Sequence, residues 1–247
     1  MARATSRHPG RRRPPAFLLL LALLAGAGVL VAAYLLPSLF SAVEPPPELK
    51  AHTFNILSEE RLALTREYVQ AHYGLDTHKL EKPQVIVIHH TAIPSLQGSL
   101  DVFKPATLPP NRKYIGRFGR LNVGVHYVVA RDGTIWSLLP EDIIGRHTIG
   151  LNHLSLGIEN VGANEKELTE AQMEANARLV AAMVRRHPSI AYLIGHHEYT
   201  VPTLPHYKLY KELVPNYKPT IKTDPGPAFM TRLRNRLRQV YAIELAD

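Results

Sequence analysis

The hydrophobic pattern begins with an apolar, uncharged run from Ala16 to Leu36, and Pro37 ends it. A run of about twenty apolar residues is long enough to cross a bilayer, whereas the core of a signal peptide spans roughly 7–15. The arginines that precede the run should stay in the cytoplasm. We therefore predict a basic cytoplasmic segment at 1–15 and a transmembrane signal anchor at 16–37. A long cleaved signal peptide and a twin-arginine export signal remain open, and each places the rest of the chain outside the cytoplasm.

After the anchor, residues 38–57 are predicted to form a stiff spacer, because consecutive prolines within them favour an extended backbone. Residues 58–247 alternate between helical and strand-like periods and are predicted to form one domain with an N-terminal helical extension. The alternation has no strict βαβ rhythm, so it predicts an α/β fold in which helices flank a mixed central β-sheet. Helices are predicted at Ser58–Tyr73, Leu168–Arg186 and Ala228–Tyr241, and strands at Gln84–Ile88, His126–Ala130, Thr134–Leu139, Ser155–Glu159 and Ala191–Ile194.

Local signals add detail to this outline. The stretch from Pro94 to Leu121 is rich in proline, glycine and polar residues, which predicts a long loop along a groove. Asp132-Gly133 predicts the turn of a hairpin. Asn164 with Glu167 has the spacing of a capping box and is predicted to begin the second long helix.

Composition and charge narrow the class of protein. Hydrophobic residues make up 45% of the 247 residues and charged residues 20%, which is typical of a globular domain. The formal net charge is +8, but the arginine-rich front supplies five of these charges, and no basic stripe with interleaved aromatics follows it. We therefore expect no nucleic-acid partner. The chain has no cysteine, which excludes disulfides, thiolate zinc sites and cysteine nucleophiles.

Candidate chemistry is concentrated in three segments, Val85–Ala92, Gly195–Glu198 and Lys222–Phe229. Each places a histidine or an aspartate at a strand end or a tight turn, and a catalytic zinc ion takes about three such ligands. On residue types alone, a metal site and a set of unrelated polar loop residues are both open. Isolated histidines such as His72 are interpreted as surface or core residues.

These segments resemble the zinc-dependent N-acetylmuramoyl-L-alanine amidases, a family that includes T7-type phage lysozyme, bacterial amidases of cell-wall recycling and animal peptidoglycan recognition proteins. The similarity covers roughly Pro83 to Leu233 and keeps the family order. The resemblance implies a Zn²⁺ cofactor held by His89, His196 and Asp224.

The resemblance also implies roles for four further residues. Glu159 matches the acid that deprotonates the zinc-bound water, and Lys222 matches the lysine that stabilises the oxyanion. On residue types alone, a salt-bridged carboxylate and a solvated lysine remain open. His126 and His147 resemble groove-lining histidines and are predicted to bind substrate, with a structural histidine as the alternative for each.

His90 and His197 neighbour the ligands and are predicted to point away from them, into the core or a second layer. Residues Tyr199–Ile221 form a longer connection than in the compact recycling amidases. This insertion is predicted to be a wall of the groove or a lid over it.

The expected activity is hydrolysis of the amide between N-acetylmuramic acid and L-alanine in peptidoglycan or muropeptides. The alternatives are a peptidoglycan-binding module without activity and a zinc peptidase acting on the stem peptide. The first is disfavoured because all three ligands are retained, and the second because no His-Glu-x-x-His segment is present. The expected location is the bacterial cytoplasmic membrane, with a single pass and the catalytic domain on the periplasmic side.

Overall fold

The computed structural model describes residues 49–247. The predicted cytoplasmic segment, the anchor at 16–37 and the first part of the spacer lie outside this range. Within residues 49–247, no helix combines the length and the apolar character needed to span a membrane.

A six-stranded mixed sheet forms the centre of the domain, in the order β1-β4-β3-β5-β2-β6. Neighbouring strands run parallel except for β3 and β4, which form the predicted antiparallel hairpin. The predicted mixed sheet is therefore confirmed. The strands are β1 His52–Thr53, β2 Val85–His90, β3 Tyr127–Val129, β4 Ile135–Ser137, β5 Ser155–Asn160 and β6 Tyr192–Gly195.

Strand β2 lies between β5 and β6, and its apolar residues Val85–Ile88 are fully buried. A parallel strand covered on both faces has a continuous apolar sequence, as this strand does. Ile86 and Ile88 face the cluster that includes the two long C-terminal helices, whereas Val85 and Val87 belong to a separate cluster with Tyr199. Because side chains alternate along a strand, His89 lies on the Val87 side.

The helices cover the sheet and end at recognisable caps. They are α1 Glu59–Tyr73, α2 Leu96–Phe103, α3 Lys113–Gly116, α4 Glu170–Arg186 and α5 Pro227–Tyr241, with short 3-10 turns at Asn152–Leu154, Glu165–Glu167, His196–Glu198 and Pro205–Leu209. Helix α1 begins at its N-cap Ser58 and ends at Gly74, whose φ of 69° is left-handed. This helix and the C-terminal helix α5 are confirmed almost residue by residue.

Three sequence predictions are corrected by the structure. The capping box of α4 is Thr169 with Gln172, and Asn164 instead caps the preceding 3-10 turn. The predicted loop 94–121 contains α2 and α3, because the Ser95 side chain caps α2. The predicted spacer 38–57 is too long, since β1 within it joins the sheet edge and Ile56 is buried.

Candidate metal centre and its cavity

The three predicted ligands lie close together at one edge of the sheet. His89 is near the end of β2, and His196 follows β6 directly. Since the carboxyl ends of parallel strands meet at the same edge, β2 and β6 bring these two histidines together. Asp224 reaches them from the turn that precedes α5.

Three ligand atoms of these residues form a small triangle. His89 Nδ1 is 3.0 Å from His196 Nδ1 and 3.3 Å from Asp224 Oδ2, and His196 Nδ1 is 3.0 Å from the same oxygen. Ligands held at about 2.0–2.1 Å in a tetrahedron are about 3.3 Å apart. The triangle therefore fits a tetrahedral zinc ion with a fourth position left for water or substrate. Other divalent ions accept the same His-His-Asp set.

The electrostatic environment keeps these groups in the form that binds metal. Burial, together with the charge of His89, lowers the pKa of His196 to about 4, despite the opposing effect of Asp224. Burial raises the pKa of Asp224, but hydrogen bonds from His196 and His89 outweigh it and hold that pKa well below its ordinary value. A neutral imidazole and a carboxylate at neutral pH are what a metal requires.

His89 and Asp224 are supported by a second layer of hydrogen bonds. His89 Nε2 lies 3.1 Å from Nδ1 of His147 and 3.4 Å from the hydroxyl of Thr148. Burial, followed by the charges of neighbouring histidines, lowers the pKa of His147 well below its ordinary value. A neutral His147 can accept a hydrogen bond from the Nε2–H of His89. In that tautomer His89 Nδ1 carries no proton and is free for the metal. His197 fixes the third ligand, because its backbone N–H donates to the Asp224 carbonyl at 2.9 Å.

Glu159 lies beside the ligands, since β5 pairs with β2 and places Glu159 in register with His89. One of its carboxylate oxygens is buried and has no hydrogen-bond partner among residues 49–247. Burial, and after it the charge of Asp224, raise its pKa well above the ordinary value, although Arg112 and Lys222 act in the opposite direction. A carboxylate with a raised pKa is suited to accept a proton and return it.

A cavity of about 410 Å³ opens above the triangle, and six of the seven predicted site residues line it. These are His89, His147, Glu159, His196, Lys222 and Asp224. The insertion supplies one wall, as predicted, through Tyr199, Tyr217, Thr220 and Ile221. His90 also lines the cavity and is only partly buried, whereas we predicted that it points away from it.

A family model described as N-acetylmuramoyl-L-alanine amidase matches residues 79–227, which is more than half of the chain. The chain belongs to this amidase family. It is 29% identical over 188 residues to the 1,6-anhydro-N-acetylmuramyl-L-alanine amidase AmpD of Citrobacter freundii, covering 70% of this chain and 90% of the relative. It is 32% identical over 97 residues to the endolysin of Escherichia phage T7, covering 37% and 64%. A solved structure of an AmpD derivative aligns at 24% identity and a TM-score of 0.48, covering 79% and 98%.

The seventh predicted residue of this amidase, His126, is placed differently from our prediction. It is fully buried, its Nε2 lies 2.9 Å from the Ile143 carbonyl, and its Nδ1 accepts the backbone N–H of Gly157 at 3.0 Å. Burial lowers its pKa to about 4. Because both ring nitrogens are occupied by backbone groups, we assign His126 a structural role in the amidase fold and not substrate binding.

Sequence reasoning missed two cationic residues of the amidase cavity, Arg112 and the buried Arg146. Arg112 lies just before α3, is exposed, and lines the cavity. Its charge acts on Glu159, as that of Lys222 does. Arg112 belongs to a stretch with neither strand nor helix periodicity, and nothing in the sequence separates it from other loop arginines.

Proposed function

We propose that this protein is a zinc-dependent N-acetylmuramoyl-L-alanine amidase that cleaves peptidoglycan or muropeptides outside the cytoplasm. One observation carries the proposal: ligand atoms of His89, His196 and Asp224 converge within a buried triangle beside Glu159 and at the floor of a cavity. Membership of the amidase family and the amidase activity of the AmpD relative support the same chemistry.

Zinc bound by the three ligands would supply a Lewis acid and lower the pKa of a coordinated water to about 7. Glu159 takes the proton of the attacking water on its buried oxygen and delivers it to the nitrogen of the leaving amine. Lys222 lines the same cavity and makes no ion pair among the described residues, so its ammonium group is available to the oxyanion of the substrate.

The bond changes balance without a further reactant. The hydroxyl of one water molecule adds to the lactyl carbonyl carbon of N-acetylmuramic acid, and the bond from this carbon to the L-alanine nitrogen breaks. The nitrogen receives the proton that Glu159 held. The products are a free lactyl carboxylate on the sugar and a stem peptide with a new L-alanine N-terminus.

The proposed location follows from the apolar run at 16–37, which is long enough for a single-pass anchor with arginines on its cytoplasmic side. A domain that follows such an anchor lies on the same side of the membrane as the wall. Fusion of a periplasm-dependent reporter to the C-terminus would be active in this orientation, and an inactive reporter would reject it.

The test of activity uses the full-length protein in mild detergent, loaded with zinc and incubated with sacculi or defined muropeptides. Mass spectrometry of the products should reveal stem peptides that begin with L-alanine. Asp224→Ala and chelator treatment should abolish them, whereas Asp76→Ala, a control at a carboxylate whose side chain is 76% exposed, should not. Binding to sacculi without cleavage would indicate a recognition module, and cuts within the peptide would indicate a peptidase.

A further inference from the structure

Helix α1 lies outside the region that matches the amidase family, yet it contacts segments that line the cavity. The family match begins at residue 79, whereas α1 ends at Tyr73. Two segments of the chain form walls of the cavity. We name residues 112–123, which contain α3, the loop wall, and residues 210–221 the insertion wall. The loop wall contributes Arg112, Ile115 and Val123 to the cavity lining, and the insertion wall contributes Tyr217, Thr220 and Ile221.

His72, in the last turn of α1, is bonded to both walls at once. Its side chain is fully buried, its Nε2 lies 2.7 Å from the Phe118 carbonyl of the loop wall, and its Nδ1 lies 2.6 Å from Glu212 Oε2 of the insertion wall. The backbone continues the link, because the N–H of Leu213 donates to the His72 carbonyl at 3.0 Å.

The partners of His72 show how it joins the two walls. A carbonyl oxygen only accepts, so Nε2 donates to Phe118. Nδ1 makes the second hydrogen bond, with Glu212 Oε2, and the other Glu212 oxygen accepts the backbone N–H of Val214 at 2.7 Å. His72 is thus a buried, hydrogen-bonded histidine, which agrees with its interpretation from sequence as a surface or core residue.

The two walls also contact each other next to His72. The Phe118 ring meets the Tyr217 ring edge to face at 5.2 Å, and the Tyr217 ring lies 6.5 Å from His72. The Tyr114 hydroxyl donates to the Lys218 carbonyl at 2.6 Å. The position of Tyr217 in the cavity is thus tied to His72 through the ring of Phe118 and through the chain that follows Glu212.

The start of α1 fastens the other end of the loop wall. Arg61 is buried, and its Nη1 donates to the carbonyls of Asn122 and Val123 at the end of the loop wall, each at 3.5 Å. Its Nη2 donates to the carbonyls of Phe103 and Pro105, at 2.7 and 2.5 Å. Arg146 donates to the carbonyls of Ile115 and Leu121, and its guanidinium lies 4.9 Å above the ring of Tyr68 in α1. The helix therefore supports the loop wall along most of its length.

We propose that α1 sets the geometry of the substrate cavity, and that His72, paired with Glu212, is the positioning residue that holds the two walls together. The metal ligands lie at the end of the sheet and do not depend on this link. Loss of the pair should therefore weaken substrate binding and leave the chemical step intact. As a statement about substrate, this inference rests on the proposed amidase function.

The test compares His72→Phe with the full-length wild type. Phenylalanine keeps a ring in contact with Tyr68 and removes both ring nitrogens. The matched control is His187→Phe, since His187 also contacts a glutamate, Glu141, at 2.7 Å but does not line the cavity. Glu212→Gln is a second variant, which keeps the shape of the carboxylate and removes its charge, in case His72→Phe does not fold.

Two measurements decide the proposal. In His72→Phe, hydrogen exchange should accelerate at least tenfold in residues 112–123 and 210–221 and stay unchanged in β2 and β5. The KM of this variant for a soluble muropeptide should rise about tenfold, while its kcat stays within twofold of the wild type. Exchange that is unchanged, or that accelerates across the whole domain, would overturn the proposal, as would a fall in kcat at constant KM. Exchange needs no turnover, so an inactive wild type would reject the amidase function while the role of His72 is still measured.

Discussion

Replacing Gly157 by alanine should weaken metal binding although Gly157 is not itself a metal ligand. A Cβ at this position would lie 2.8–2.9 Å from three atoms of the His147 ring. Carbon atoms in contact prefer about 3.5–4.0 Å, so the ring must withdraw by at least about 0.6 Å. The hydrogen bond from His89 Nε2 to His147 is 3.1 Å long and would stretch beyond its useful range.

The expected loss of zinc affinity follows from the role of His147 as the outer partner of His89. Removal of such partners typically costs about 10–100-fold in affinity, or about 1.4–2.7 kcal/mol. Competition with a chromogenic chelator measures this directly on the folded protein. Gly116→Ala is the matched control, because an added Cβ there meets nothing within 4 Å.

A double-mutant cycle makes the argument about Gly157 refutable. If the clash with His147 is the cause, His147→Ala should cost affinity by itself and Gly157→Ala should add almost nothing to it. Full additivity of the two substitutions would refute the reasoning, and so would a Gly157→Ala protein that binds zinc within twofold of wild type.

Three further predictions concern single side chains. Glu159→Gln should lower kcat by about 10²–10⁴-fold, and chelator competition should show zinc affinity within threefold; a loss of zinc would contradict its role as base. Lys222→Met should lower kcat by about 10²–10³-fold in the muropeptide assay, and a change confined to KM would contradict oxyanion stabilisation. Burial raises the pKa of Glu141, but hydrogen bonds, that from Arg186 first, outweigh it and lower the pKa to about 2. The stabilisation that ionised Glu141 gives the folded state is therefore complete above about pH 4.5 and is lost as the pH falls from 4.5 toward 2. In Glu141→Gln, the free energy of unfolding measured in urea between pH 3 and 7 should fall less steeply toward acid pH than in the wild type. An equally steep fall would contradict this.

Five of the six strands and the three long helices were predictable from their hydrophobic patterns, whereas the two-residue strand β1 was not. Val85–Ile88 has the continuous apolar sequence of a strand buried on both faces, and the structure buries it completely. The short helices α2 and α3 were not predicted, since prolines and glycines surround them and no apolar face repeats long enough to be recognised. The misplaced capping box shows the same limit, because Asn164 and Thr169 both have a suitable partner three residues later.

The candidate metal site was predictable only through resemblance, because ligands from three distant segments have no diagnostic spacing. Their convergence depends on the strand order that places β2 beside β6, which no local pattern contains. His126 and His147 illustrate what remains hidden. Both border the same glycine, Gly157, yet one ring accepts its backbone N–H and the other packs on its Cα and supports His89.

Among the described residues, Arg61 and Arg146 are buried outside the metal centre, and their hydrogen bonds to the cavity walls explain why they are there. The walls are mostly irregular and carry many polar residues, and their backbone carbonyls still need donors. Arginine offers five N–H donors, so Arg61 and Arg146 can each satisfy several chain segments at once, and His72 bonds to one residue of each wall. The sheet edge can therefore hold the ligands rigidly while the walls vary in sequence. On this reasoning, substitutions in the three donors change which substrates fit, and substitutions at the sheet edge change the metal and the rate.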